Sequence, residues 1–199
     1  MAKRFFDWLA SGLGLLLLSP LLLLVALWIK CDSRGPVFFR QERVGLRGQA
    51  FRIHKFRTMT VNAEAKGPQI TAGNDARVTR SGAFLRKSKI DELPQLIDVW
   101  FGQMSLVGPR PEVPRYMNKY PADVRTKVLS VRPGITDWAS IQFKDENRIL
   151  GNAADPEAAY VQEVLPIKQR FYLDYVDQRT FMGDLQIILA TLAAIVRDR

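Results

Sequence analysis

A single cysteine and a single histidine occur in 199 residues. With Cys31 alone no internal disulfide can form, which fits a reducing compartment. The sequence also lacks a zinc-type cluster, a glycine-rich nucleotide loop, internal repeats and low-complexity segments. Acidic residues are scarce in one region. Residues 30–90 carry four of them against 14 Lys and Arg, a net +10, whereas residues 1–29 net +1 and the remainder −2, within a chain total of +9. Such a basic band suits nucleic acid, anionic lipid or a phosphorylated substrate.

Long hydrophobic runs are confined to one place. Trp8 to Ile29 is apolar apart from two serines. Its 22 residues give about 33 Å of helix, enough to cross a bilayer. Ser19-Pro20 falls in its middle, where proline removes a backbone donor and biases the preceding residue away from helix. Lys3 and Arg4 precede the stretch; Lys30, Arg34, Arg40 and Arg43 follow it. A kinked single span is one reading, but cations on both flanks suit a segment that enters and returns to the same face. The longer basic flank puts the following residues in the cytoplasm on either topology. No small-residue cleavage site follows, so the stretch reads as an anchor, with Cys31 a bystander at its boundary.

Beyond the anchor a β-hairpin is expected, VFFRQERV and QAFRIHKF flanking the Gly45–Gly48 turn. Alternation places Phe51, Ile53, Lys55 and Arg57 on one face, either as a phosphate-binding pair of cations or as an edge lying over lipid headgroups. His54 points the other way and reads as packed. Residues 60–74, with Gly67-Pro68, read as a loop, and a helix is expected over 80–87. Two further helices are expected over 156–178 and 180–198. The second carries Phe181, Leu185, Ile188, Leu189, Leu192 and Ile195 at helical spacing, a stripe that reads as core in preference to membrane-binding.

The stretch that organises the chain is RKSKIDELPQLIDVWFGQMSLVGPRP, residues 86–111. Asp91 and Glu92 stand side by side at an expected helix start. Asp91 as N-cap puts Pro94 in the first turn, where its missing N–H costs nothing. Adjacent helical residues diverge by about 100°, so the two carboxylates cannot share one proton and should have separate tasks. An Asp among cations is expected to be ionised and suits attack on phosphorus; a neighbouring Glu suits a divalent cation. Downstream, Pro109 and Pro111 stiffen the backbone around Arg110, presenting a guanidinium fit for bidentate phosphate binding. A helix cap and a stiffened loop are the plain alternatives.

The run DELPQLIDVWFGQMSLVGPRPEVP strongly resembles the bacterial sugar transferase family, the small monotopic phosphoglycosyl transferases. The likeness continues through GPVFFRQERVGLRGQAFRIHKFRTM, NDARVTRSGAFLRKSKIDELPQL and VRPGITDWASIQF, nearly the whole chain. It implies one domain over 1–199, mostly helical α+β: a re-entrant membrane helix (1–30) broken at Ser19-Pro20, then a cytoplasmic catalytic part (31–199) with a small hairpin and amphipathic interfacial helices. It further implies transfer of a sugar phosphate from a UDP-sugar to polyprenol phosphate at the bacterial inner membrane, releasing UMP. Asp91 would be the nucleophile, and Glu92, with Asp91 beside it, would hold Mg²⁺. Lys55, Arg57, Arg86, Arg110 and Pro111 would form the phosphate site. Membrane lipids are expected partners and nucleic acid is not; a homodimer and downstream glycosyltransferases are compatible with the sequence. Asp137, Lys144, Asp145 and Glu146 depart from the commonest family form and leave the nucleotide and sugar contacts there open. The competing readings are a membrane-anchored nucleic-acid binder, suggested by the basic band alone, and a scaffold subunit.

Overall fold

The structure, a computed structural model, describes residues 2–63 and 75–197. The expected 60–74 loop therefore lies, from residue 64 onward, outside the described residues. The chain is mostly helical with small sheets, as expected for an α+β protein.

Helix α1 runs from Ala2 to Asp32 with Pro20 inside it. The expected break at Ser19-Pro20 does not interrupt the helix, and the Ser19 hydroxyl donates back to the Leu16 carbonyl at 2.8 Å. Among the described residues it is the one helix long and apolar enough to cross a membrane. Both of its ends are fastened to the rest of the protein. Lys3 donates to the Val107 carbonyl and to Asp184, Arg4 to the Val99 carbonyl, and Asp7 accepts from Ser105 Oγ at 2.8 Å. Trp8 stacks on Trp100 at 4.7 Å. At the far end Val25 and Ile29 are buried against Phe56 and Leu85, and Asp32 accepts from the Ser81 amide and hydroxyl. Between these anchors Leu16, Leu17, Leu23 and Leu24 are exposed.

The hairpin forms with one register in two pieces. Strand β1 (Phe38–Phe39) pairs with β4 (Lys55–Phe56), and β2 (Glu42–Val44) with β3 (Ala50–Arg52), closed by a 3₁₀ turn over Leu46–Gly48. Helix α2 (Arg80–Lys87) occupies the expected residues, capped by Thr79 accepting from the Gly82 amide. Helix α3 (Gln95–Trp100) follows, then β5 (Ser105–Val107), α4 (Pro114–Met117) and α5 (Ala122–Val128). Strand β6 (Gly134–Thr136) pairs in parallel with β5, which short-range patterning did not disclose.

The first expected C-terminal helix is a continuous helical run. It comprises α8 (Pro156–Ala159), a π turn (Tyr160–Val164) and α9 (Leu165–Gln178), after the short α6 (Trp138–Gln142) and α7 (Glu146–Gly151). The widened turn precedes Pro166, which has no N–H for the carbonyl four residues back. Helix α10 (Phe181–Arg197) bears out the reading of its stripe as core only in part: Leu185, Ile188 and Ile195 are half-buried, with Ile188 packed against the Val107–Tyr175–Ile187 cluster. Asp184 and Ile187 face inward, with Thr191 bonded to Thr136, whereas Phe181, Leu189, Leu192 and Val196 are exposed. The polar ties of Asp184 to Lys3 and Tyr175 fix that rotation.

The parallel pair depends on glycine at its exit. A Cβ on Gly134 would stand 2.1 Å from the Gly108 nitrogen, and Gly134 donates to the Pro109 carbonyl at 3.0 Å. Gly134→Ala should therefore force β5 and β6 apart and destabilise the protein by about 2 kcal/mol or more, read by chemical or thermal unfolding in detergent.

Candidate active site

Three distant segments converge on Glu92. Helix α2 ends at Lys87, and Lys89 adopts a left-handed conformation (φ 57°) that turns the chain into a 3₁₀ turn over Ile90–Glu92. Pro94 stands immediately before α3. Asp91 is thus not an N-cap, contrary to the expectation; it sits inside the 3₁₀ turn with no capping bond.

The hairpin delivers Lys55, whose ammonium donates to Glu92 Oε1 at 2.8 Å. The β5–β6 pair delivers Arg110, whose guanidinium grips both Glu92 oxygens, Nη1 to Oε2 at 3.0 Å and Nη2 to Oε1. Burial alone would raise the Glu92 pKa, but Arg110 and then Lys55 outweigh it and hold this carboxyl well below its usual range. Burial lowers the Lys55 pKa against the pull of Glu92, whereas Glu92 raises that of Arg110.

Asp91 differs. It is 7% exposed, lines the same cleft, and no hydrogen bond holds its carboxylate among the described residues. Burial pushes its pKa up, Lys55 pulls it down, Glu92 raises it again, and the balance is upward. The expectation that surrounding cations would favour its ionised form is corrected: desolvation outweighs Lys55, Arg86 and Lys89. The two adjacent carboxylates therefore differ: Arg110 and Lys55 clamp Glu92 in its ionised form, whereas burial shifts Asp91 the other way.

Asp91, Glu92, Lys55, Arg86 and Arg110 line one cleft of about 1320 Å³. Arg86 is steadied by its Nε bond to Thr58 Oγ1 at 2.8 Å. Arg57 is not brought there. It is buried, and it donates to the Ser33 and Arg34 carbonyls, fastening the chain just after α1. Pro111 is not among the lining residues; its carbonyl accepts from Arg43 Nη1 at 2.9 Å, which braces the Arg110 segment. His54 is packed as expected, its Nδ1 2.6 Å from the fully buried Asp98.

Arg43, Ser140 and Lys168 also line the cleft and were not singled out for the site by sequence; Glu146, from the divergent segment, lines it too. A signal for Lys168 existed: it occupies the same helical face as Leu165, Tyr172 and Tyr175, where a lysine is out of place unless paired. Apolar residues line the cleft as well, Phe84, Leu96, Ile188 and Leu192 among them.

The cleft thus combines a carboxylate pair, a cationic rim and apolar lining residues, an arrangement that suits phosphate groups. The model of the bacterial sugar transferase family matches residues 1–198, and the chain belongs to that family. It is 39% identical to the UDP-N-acetylgalactosamine-undecaprenyl-phosphate N-acetylgalactosaminephosphotransferase of Aeromonas hydrophila, over 98% of this chain and 43% of that protein. It is 36% identical to the UDP-glucose:undecaprenyl-phosphate glucose-1-phosphate transferase of Xanthomonas campestris pv. campestris, over 100% of this chain and 40% of that one. The exopolysaccharide production protein PSS of Rhizobium leguminosarum bv. phaseoli is 41% identical over 96% of this chain and 94% of its own length. The chain spans about two fifths of the length of the first two.

The split between the carboxylates should show in stability. The folded-state pKa of Asp91 lies above its unfolded value of about 3.9, so its stabilising contribution is complete below that pH and lost as pH rises through the folded pKa. Asp91→Asn should consequently unfold no earlier than the parent at pH 7. Glu92→Gln leaves two cations uncompensated and should destabilise, by less than the ~3–5 kcal/mol of a fully buried pair because the Glu92 side chain keeps 17% exposure. Unfolding temperatures of both variants against pH check the pair.

Proposed function

We propose that this protein transfers a sugar-1-phosphate from a UDP-sugar to polyprenol phosphate at the cytoplasmic face of the bacterial inner membrane, releasing UMP. The observation that carries the reading is the buried Asp91 beside a clamped Glu92 in a cation-lined cleft. The relatives' names supply the substrate classes: a UDP-sugar and undecaprenyl phosphate.

A carboxylate oxygen of Asp91 attacks the β-phosphorus of the UDP-sugar. The bond from that phosphorus to the bridging oxygen breaks, UMP leaves, and the sugar phosphate remains on Asp91. A phosphate oxygen of polyprenol phosphate then attacks the same phosphorus, breaks its bond to Asp91 and forms polyprenyl diphosphate sugar. Arg86 and Arg110 neutralise the phosphates, and Lys55 keeps Glu92 and Asp91 in one field. Burial raises the Asp91 pKa and so opposes the deprotonated form that attack requires; the positive charge of Lys55, Arg86 and Lys89 works against that shift.

Magnesium fits this donor set conditionally. Among the described residues no cluster of three or more metal-type side chains exists, but Mg²⁺ is commonly held by one or two carboxylates plus substrate phosphates. Glu92 and Asp91 would hold it together with the diphosphate, where it would offset charge on the leaving UMP. Since Lys55 and Arg110 already occupy Glu92, the ion is expected to arrive with the nucleotide.

Helix α1 is proposed to be re-entrant. A helix with both ends fastened to one body and its middle leucines exposed suits a loop dipped into one leaflet. A bend at Pro20 would keep both flanks cytoplasmic, with the exposed apolar side of α10 lying at the interface. In intact cells, a cysteine placed near residue 3 should resist an impermeant reagent added outside. Labelling there would establish a full span.

The two-step transfer predicts a burst. Protein given UDP-sugar and Mg²⁺ without lipid should release up to about one UMP per site, and its Asp91 peptide should gain the mass of a sugar phosphate. Asp91→Asn should do neither, and EDTA should suppress the burst until Mg²⁺ is restored. UMP appearing only with lipid present, and no adduct on Asp91, would point to single displacement.

A further inference from the structure

We infer that Lys168 and Glu146 form the part of the cleft that recognises the sugar of the nucleotide sugar, an assignment that rests on the function proposed above. Lys168 comes from α9 and lines the cleft although only 5% exposed. It lies 5.1 Å from the centroid of the Tyr160 ring and 5.9 Å from that of Phe143. Its one ionic partner among the described residues is Glu146, in the first turn of α7 and also on the cleft wall. An ammonium has three N–H donors, so the Glu146 contact leaves donor capacity on a cleft-lining group.

The charge balance selects the ligand. The cations around Asp91 carry excess positive charge suited to phosphates, whereas Lys168 is already neutralised by Glu146. A paired ammonium and carboxylate offer a donor and an acceptor side by side with little net charge. That pattern matches neutral vicinal hydroxyls better than a phosphate oxygen. Position agrees: Glu146 is close enough to Arg110 to act on it electrostatically, and Arg110 holds Glu92 beside Asp91. A sugar carried on the phosphorus that Asp91 attacks would extend from this cluster, within reach of groups that share its wall. Burying the ammonium between two aromatic rings and one carboxylate also limits its motion, as discrimination between hydroxyl configurations requires.

The test is UMP release by the full chain with undecaprenyl phosphate and a panel that includes UDP-N-acetylgalactosamine and UDP-glucose, with UDP as a competing inhibitor. Lys168→Gln and Glu146→Gln should each lower kcat/KM for the preferred sugar by about 10- to 100-fold and alter the ratio between sugars. Inhibition by UDP and the KM for the lipid phosphate should stay within about twofold of the parent. Glu146, with 28% of its side chain exposed, keeps the test decisive if Lys168→Gln does not fold. Parallel loss of UDP inhibition, or a raised lipid KM, would assign the pair to phosphates and overturn the inference. So would equal losses for every sugar accompanied by earlier unfolding, the mark of packing alone. A parent protein that releases UMP from no UDP-sugar would instead sink the underlying function, and this assignment with it.

Discussion

The ion cluster of Glu92 with Lys55 and Arg110 is the constraint on which the site depends. Its members come from the hairpin, from the turn before α3 and from the segment after β5, separated by 37 and 18 residues along the chain. Taking these charges out of water is costly, and each is tolerable only because the others are present. The cluster therefore ties the placement of the segments together and gives the cleft its cationic edge. It also explains how adjacent carboxylates avoid equivalence: Arg110 and Lys55 hold Glu92 ionised, whereas burial outweighs the cations at Asp91 and shifts its pKa upward.

Supporting contacts hold each arm of that cluster. Arg43 grips the Pro111 carbonyl behind Arg110, and the close passage of Gly134 past Gly108 sets the path of the chain before it. Lys89 reverses the chain into the carboxylates. Arg57, two residues beyond Lys55, secures the carbonyls that follow α1, whereas Lys55 lines the cleft. Fastened at both ends, α1 is held against the body that carries the cleft while its middle leucines stay exposed.

Local patterns were legible where one short stretch carries the whole signal. The apolar run of α1, the hairpin around Gly45–Gly48 and the span of α2 follow from composition, alternation and a Thr79 cap. The carboxylate pair and Arg110 stood out because charges flanked by prolines are conspicuous in sequence. The rotation of α10 was less legible. Its apolar stripe is broad, and the inward face was decided by Asp184 and Thr191 finding partners on other elements.

The sequence by itself determined which residues could do chemistry, through residue type and local stiffness: Asp91, Glu92, Lys55, Arg86 and Arg110 all reach the cleft. Only the tertiary structure decided what each does there. Lys55 and Arg57 are two residues apart and look alike in sequence, yet one meets Glu92 and the other the end of α1. The parallel pairing of β5 with β6 and the arrival of Lys168 beside Glu146 join residues 29 and 22 positions apart, beyond any local pattern. The reason is physical. Propensity and capping act within a few residues, whereas burial, which sets the opposed pKa shifts of Asp91 and Glu92, is created by whatever the rest of the chain packs around them.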